Sequence, residues 1–242
     1  MTNTNLDAEP TASGAMAMRW PALHMTDVRK VYRMGDTDVI ALDRANLTVG
    51  ADEIVALVGP SGSGKTTLCS IAGGILSASG GTIVVGGRDI TGYNSKQLTD
   101  FRRESVGFVF QSVNLVPFLT ARENLLVVDE MGKRSRRVAR KRADQLLDEL
   151  GLADRANNLP GQLSGGQRQR VAIGRALMND PALVLFDEAS SALDSKLGEQ
   201  VMELIQSEMK QRGIAAIIVT HDERMTRHAD RIAHIVDGLL DA

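Results

Sequence analysis

The chain has 242 residues, of which 43% are hydrophobic and 24% charged, with a formal net charge of -2. That composition suits a globular domain with a substantial core and excludes a low-complexity chain, and the near-neutral charge provides no overall attraction to nucleic acid or anionic lipid. A single cysteine, Cys69, excludes an intrachain disulfide. No apolar run of eighteen residues and no basic-then-apolar leader occurs, so the expectation is a cytoplasmic protein that does not enter a membrane by itself.

Residues 1–20 are rich in Thr, Asn and Ala and show no sustained period, which predicts a flexible tail, with the folded domain over 21–242. From Leu23 to Tyr32 the sequence roughly alternates, with Leu23, Met25, Val28 and Val31 as inward candidates, and Val39–Val49 forms a second run. Both read as antiparallel strands. Tyr32 is either a stacking surface for a nucleotide base or a half-buried strand residue.

Ile54–Val58 is short, apolar and β-branched, as a buried strand should be, and Leu68, Ile71, Ala72 and Ile75 recur at helical spacing. Between them lie Gly59, Pro60, Ser61, Gly62, Ser63, Gly64, Lys65, Thr66 and Thr67. Strand, glycine-rich loop and helix in that order make a phosphate cradle, because glycines let backbone N–H groups converge and the helix N-terminus adds the positive end of its dipole. Lys65 is the expected partner of the β- and γ-phosphates, and Thr66 that of Mg²⁺. Cys69, among apolar neighbours, reads as a buried, inert thiol.

Thr82–Val85, Gly86-Gly87 and Arg88–Ile90 predict a hairpin, Lys96–Arg103 a short helix, and Val106–Phe110 a buried strand ending at Gln111. Strand carboxyl ends are where α/β sheets place ligand contacts, so Gln111 is a candidate metal or water ligand, although many loop glutamines have no such duty. Residues 112–160 change character and predict an inserted helical subdomain. It holds an irregular stretch around Pro117 and Phe118, then seven basic residues within Lys133–Arg142, then Ala139, Ala143, Leu146, Leu147 and Leu150 on one helical face. The basic run reads first as a solvated face, with lipid headgroups or nucleic acid as the sharper alternative.

Leu163, Ser164, Gly165, Gly166 and Gln167 precede another helical pattern. Ser164 is placed to cap that helix while the glycines keep its entry bare, which predicts a second anion site. Leu183–Phe186 is a buried strand running into Asp187 and Glu188. Adjacent carboxylates there are costly to desolvate unless they face a cation or polarise water, so Asp187 is expected to orient hydrated Mg²⁺ and Glu188 the attacking water. Asp194 follows, a helix is expected over Leu197–Arg212, and Ala215–Val219 leads to Thr220-His221-Asp222. His221 thus shares an edge with Gln111 and Asp187. His24, His228 and His234 read as structural, and Arg231–Val236 as the last strand.

These features in this order resemble the nucleotide-binding subunit of an ATP-binding cassette transporter, from about Leu23 onward. The resemblance implies an α/β P-loop core with a mainly parallel sheet, an N-terminal antiparallel subdomain and an inserted α-helical subdomain. It makes Tyr32 the adenine-stacking aromatic, Gly59–Thr66 the Walker A loop, Gln111 a Mg²⁺ ligand that senses the membrane partner, and Leu163–Gln167 the LSGGQ signature. Asp187 and Glu188 become the Walker B aspartate and catalytic glutamate, Asp194 the D-loop residue and His221 the switch histidine. It further implies ATP and Mg²⁺, an integral membrane transporter subunit as partner, and head-to-tail pairing with a second copy or a homologous ATPase chain. Ser164 and Gly166 then contact the γ-phosphate of ATP bound by the other chain. Peripheral placement on the inner face of the membrane follows, and no nucleic acid is expected.

Two departures, Ala189-Ser190 where members often have Pro-Thr and Gly174 where many have Ala, remove no phosphate, metal or water ligand. The wording from Gln111 through Asn114–Thr120 is similar to the macrolide-export and lipoprotein-release type, hence export or mechanotransmission. An importer ATPase is the alternative, and a cassette acting on nucleic acid or ribosomes a more distant one.

Overall fold

The computed structural model describes residues 20–129, 134–188, 195–221 and 223–241. The expected tail therefore lies outside the described residues, as do Lys133, Ala189-Ser190, Asp194 and Asp222.

Two sheets share the chain. Strands β1 (Leu23–Met34), β2 (Thr37–Val49), β4 (Gly80–Val85) and β5 (Arg88–Asp89) form an antiparallel sheet in the order β2-β1-β4-β5. The second has six strands, β3 (Ile54–Val58), β6 (Val106–Phe110), β7 (Leu183–Asp187), β8 (Ala215–Thr220), β9 (Arg231–Val236) and β10 (Leu239–Asp241), in the order β10-β9-β3-β8-β7-β6. All its neighbours are parallel except β10, which turns back on β9. The fold is thus α/β, with a mainly parallel core and an N-terminal antiparallel sheet.

The parallel strands are apolar on both faces because both are covered. Ala216 and Ile218 of β8 face a core shared with helices α3 (Ala121–Leu126), α4 (Arg136–Glu149), α5 (Gly165–Leu177) and α6 (Ser195–Arg212). Ala215, Ile217 and Val219 face a second core built with α1 (Lys65–Ala72) and the antiparallel sheet. On α4 the residues Ala139, Ala143, Leu146, Leu147 and Leu150 are all buried, as their spacing requires. Arg134 and Arg142 at the start of this region both donate to Asp180, at 2.8 and 2.5 Å, whereas Arg136, Arg137, Arg140 and Lys141 are exposed.

Several details differ from the sequence reading. Helix α2 covers Ser95–Ser105, longer than expected, because Asn94 caps it in a reciprocal box with Gln97. The helix after the phosphate loop stops at Ala72, where Gly73 and the left-handed Gly74 end it, so Ile75 is 44% exposed. In β1 a bulge at Asp27, φ 50°, shifts the register between Met25 and Val28, which leaves Val31 only half-buried. Arg231–Val236 is not the last strand, because Asp237-Gly238 turns the chain into β10. The irregular stretch near Pro117 contains α3, capped by Thr120, whose side chain accepts from the Glu123 N–H while Glu123 accepts from the Thr120 N–H. His24 is exposed between Thr26 and Thr48, and His228 is buried against Glu199 and Gln206.

Candidate functional site

The parallel register decides which residues meet. Val58 stands opposite Thr220, Asp187 opposite Val219, and Phe110 opposite Asp187. The chain therefore leaves four strands at one edge, placing Gly59, His221, Glu188 and Gln111 along it, at the carboxyl ends where parallel sheets place ligand contacts.

The loop after β3 is closed by backbone bonds. Ser63 N donates to Pro60 O at 3.2 Å, Gly238 N donates to Ser63 O at 2.9 Å, and Leu68 N donates to Gly64 O at 2.8 Å. Gly62 and Gly64 have φ of 81° and 108°, in the region that favours glycine. Gly59 is required for a different reason: a Cβ there would stand 2.1 Å from the carbonyl oxygen of Ile235 and 2.8 Å from Ser63 Oγ. Gly64 caps α1 with no side chain, so the N–H groups of the first turn remain available to an anion. Lys65 is 7% exposed and donates to the carbonyls of Gly59 and Pro60 at 2.7 Å each, which holds its ammonium against the loop.

Opposite the loop, Glu188 has φ 49°, its N–H donates to Val219 O at 3.1 Å, and its Oε1 lies 3.2 Å from His221 Nδ1. A glutamate in the left-handed region is held there by its surroundings rather than by its own preference. Burial, reinforced by the Glu188 charge, pushes the Asp187 carboxyl above its ordinary value, while Lys65 pulls it down. Burial, with Asp187 adding repulsion, likewise pushes the Cys69 thiol up, leaving it protonated and inert.

These elements enclose a cleft of about 280 Å³ lined by Ala41, Ser61, Gly62, Gly64, Lys65, Thr66, Thr67, Glu188 and His221. Asp187 lies just behind it, close enough to couple to both Lys65 and Glu188. Gly59, Pro60 and Ser63 shape the loop without lining the cleft. Among the described residues Ser63 Oγ is buried with no hydrogen-bond partner, so none of them satisfies this polar atom of the cradle.

Other candidates stand apart. Gln111 is exposed beyond β6, the edge strand. Tyr32 is 37% exposed on β1, with Lys30 Nζ 5.1 Å from its ring centroid, and is outside the lining. Ser164 caps α5 in a reciprocal box with Gln167, Gly165 and Gly166 form its first turn, and none of the four lines the cleft. Asp194 is outside the described residues. Ala41 is a cleft residue that the sequence did not reveal: its carbonyl would lie 2.6 Å from a Cβ on Gly64, a contact between distant segments with no local signal.

A second, larger hollow of about 530 Å³ lies where α2, β6 and α5 meet. Phe108, Phe110, Val127, Val128, Asn114 and Arg175 are among its walls. Among the described residues no helix is long and apolar enough to cross a membrane.

A family model described as "ABC transporter" matches residues 42–191, more than half of the chain. The chain belongs to the ABC transporter family. Among curated relatives of this cassette, the macrolide export ATP-binding/permease protein MacB of Burkholderia cenocepacia is 48% identical over 221 residues, covering 91% of this chain and 32% of that protein. MacB of Shigella flexneri is 44% identical over 218 residues, 90% of this chain and 34% of that protein. The cassette thus spans about a third of the length of these relatives. Among solved structures, the ATP-binding cassette MJ0796, described as a dimer in a post-hydrolysis state bound to ADP and Pi, superposes with a TM-score of 0.79 at 39% identity, covering 91% of this chain and 97% of that one. CbiO1 from Clostridium perfringens, part of the transporter complex cbiONQ, gives 0.82 at 28% identity over 92% and 87%. The cassette is an ABC-type ATPase.

The donor set around that loop fits a magnesium nucleotide. Thr66 offers a hydroxyl and Asp187 a carboxylate, both hard oxygen ligands, whereas Gln111, whose amide oxygen is of the same kind, stands apart at the edge strand. Among the described residues no group of three or more His, Cys, Asp and Glu side chains forms a metal cage.

Proposed function

We propose that the cassette hydrolyses ATP at a site completed by a second copy, and that this cycle drives an integral membrane subunit in export or in transmission of force across the membrane. The observation that carries the reading is the division of the site. The cleft joins Lys65 to Glu188 and His221, while Ser164–Gln167 stands elsewhere on α5.

In this reading the backbone of Gly59–Gly64 and the first turn of α1 bind the triphosphate, and Lys65 exchanges its two loop carbonyls for β- and γ-phosphate oxygens. Tyr32 stacks on adenine, and Thr67 and Ser61 line the phosphate end of the cleft. Thr66, Asp187 and Gln111 would hold Mg²⁺, which neutralises charge building on the phosphates when bound. Glu188 aligns the attacking water and accepts its proton, and His221, 3.2 Å away, holds that carboxylate in place. From the second copy, Ser164, Gly165, Gly166 and Gln167 present a bare helix N-terminus to the γ-phosphate, and Asp194 joins the contact between copies. The helices between 112 and 160 form the arm that carries this element.

Support for a membrane partner comes from relatives whose names join ATP-binding to permease and from the apolar groove beside Gln111. A segment of the membrane subunit seated there, with the cassette on the inner face of the membrane, links transport to the site. Hydrolysis rate measured against chain concentration tests the core of this reading. A rate per chain that rises with concentration, and Glu188→Gln protein that binds ATP, dimerises and loses at least a hundredfold in turnover, are expected. Full turnover by a monomer, or by Glu188→Gln, would overturn it.

A further inference from the structure

Arg175 occupies the last turn of α5, at the end opposite Ser164. Its Nη1 donates to the carbonyl of Asn114 at 2.7 Å and its Nη2 to that of Val113 at 3.0 Å. Among the described residues it has no carboxylate partner, and burial lowers its pKa. A half-buried guanidinium satisfied only by carbonyls is an expensive way to hold a loop, since a neutral donor would avoid the desolvation of charge. What the planar fork adds is two parallel bonds to successive carbonyls, hence a joint of fixed direction.

The two ends of that joint matter. Val113 and Asn114 lie two and three residues after Gln111, and Asn114 turns the chain there at φ 47°, a conformation that Asn tolerates. At the other end α5 is wedged into the helical layer, where a Cβ on Gly174 would meet Leu150 at 3.0 Å and Leu125 at 3.3 Å. A helix of its length is a rod of about 20 Å, so a shift imposed at Arg175 reaches Ser164. Phe110, Asn114 and Arg175 also wall the groove of about 530 Å³, so an occupant of the groove touches both halves of the joint.

We propose that Arg175 is a positioning residue that fixes the segment after Gln111 to the signature helix, so that the state of the groove sets where Ser164–Gln167 stands relative to a second copy. The inference rests on the two-copy site proposed above. It assigns Arg175 no contact with nucleotide, which gives a distinctive signature. Loss of the joint leaves ATP binding intact and impairs the step that needs the second copy.

The test uses the full chain and four readouts: thermal unfolding, affinity for a fluorescent ATP analogue, kcat and KM for ATP, and ATP-driven dimerisation in a Glu188→Gln background. Arg175→Ala is expected to keep analogue affinity and KM within twofold, to lose at least tenfold in kcat, and to weaken dimerisation. Arg175→Lys, which keeps a charged donor able to reach one of the two carbonyls but loses the fork, is expected to recover only part of kcat, to about fivefold below the parent. An Arg175→Ala kcat within twofold of the parent overturns the proposal. So does a loss shared equally by affinity and kcat that Lys does not rescue, since that is general loosening of the fold. If Arg175→Ala does not fold, Arg175→Gln decides: reduced kcat at unchanged KM supports the joint, and parental kcat refutes it. Absence of hydrolysis in the parent chain would count against the two-copy reading itself, whereas an active parent matched by Arg175→Ala would count against the joint alone.

Discussion

Substituting Gly59 and Gly62 by alanine separates two reasons for a glycine within one loop. At Gly62 a Cβ meets nothing within 4 Å, so the only cost is backbone strain at φ 81°, about 1–2 kcal/mol. At Gly59 the strain is spatial: the new methyl would stand 2.1 Å from the Ile235 carbonyl oxygen, whereas a relaxed C···O contact needs about 3.3 Å. More than 1 Å of displacement is required, and β9, paired to β3 through His234 and to Leu240 of β10 at Ile235 itself, cannot yield it without disturbing those ladders. Overpacking against a fixed backbone costs about 3 kcal/mol at the upper end of its usual range, so Gly59→Ala should lose about 1–2 kcal/mol more than Gly62→Ala, a factor of roughly 5–30 in the folding equilibrium. Urea unfolding of the nucleotide-free chains measures the first quantity, and affinity for a fluorescent ATP analogue the second. Gly59→Ala is expected to be the less stable and to bind at least tenfold more weakly. Equal stability of the two variants, or parental ATP affinity in Gly59→Ala, would refute the assignment of Gly59 to close approach.

Three further outcomes follow from the same geometry. The Asp187 carboxyl is held above its ordinary pKa, so its charged form is disfavoured on folding and that penalty is present at pH values above the raised pKa. Asp187→Asn should therefore melt at a higher temperature than the parent at pH 7 without nucleotide while losing hydrolysis, and a lower melting temperature would contradict the electrostatic account. Burial raises the Asp230 carboxyl, but Lys210 Nζ at 2.6 Å and the Ile54 N–H at 2.8 Å outweigh it and hold the pKa below its ordinary value. Its contribution, about 1 kcal/mol for a partly exposed group, is complete above the unfolded value and lost as pH falls through the folded one. Asp230→Asn should thus destabilise at pH 7 and do so progressively less as the pH falls through the acid range, and a constant difference across that range would show that charge is not involved. Thr120→Ala removes the cap of α3 and should cost about 1 kcal/mol by denaturant unfolding, with parental stability indicating that the bonds from Asn124 to the Leu119 and Thr120 carbonyls, not the cap, hold this helix.

Much of the fold was legible because its signals are local. The apolar β-branched runs at Ile54–Val58 and Ala215–Val219, the glycine loop before Lys65 and the Ser164 cap each carry their conformation in adjacent residues. The family resemblance and its α/β architecture rested on those strings. What escaped depends on distant partners. The Asp27 bulge shifts β1 against two neighbours at once, and no alternation in its own sequence shows where. Ala41 reaches the cleft only because β2 passes over Gly64, and the Gly59 requirement comes from Ile235, at the other end of the chain. Helix α3 is a different case. Its Thr120–Glu123 box is a readable signal, masked by the Pro117-Phe118 irregularity just before it. Nothing local to Arg175 says that its head group meets the chain 61 residues earlier.

The turn at Asp237-Gly238 joins the two sheets without using a side chain. Gly238 N donates to Ser63 O at 2.9 Å, Gly238 O accepts from Asp43 N at 3.0 Å, and Gly238 itself sits at φ 76°, where a Cβ would press to 2.8 Å of the Ala41 carbonyl. One residue's backbone thereby sets the height of the phosphate loop and the lateral position of β2, so the base end and the phosphate end of the cleft share a common datum. Alignment made of main-chain atoms is indifferent to most changes in residue identity. The neighbouring side chains are thus free to drift while the span between β2 and the loop keeps its length, and the glycine is the single letter in which that tolerance ends.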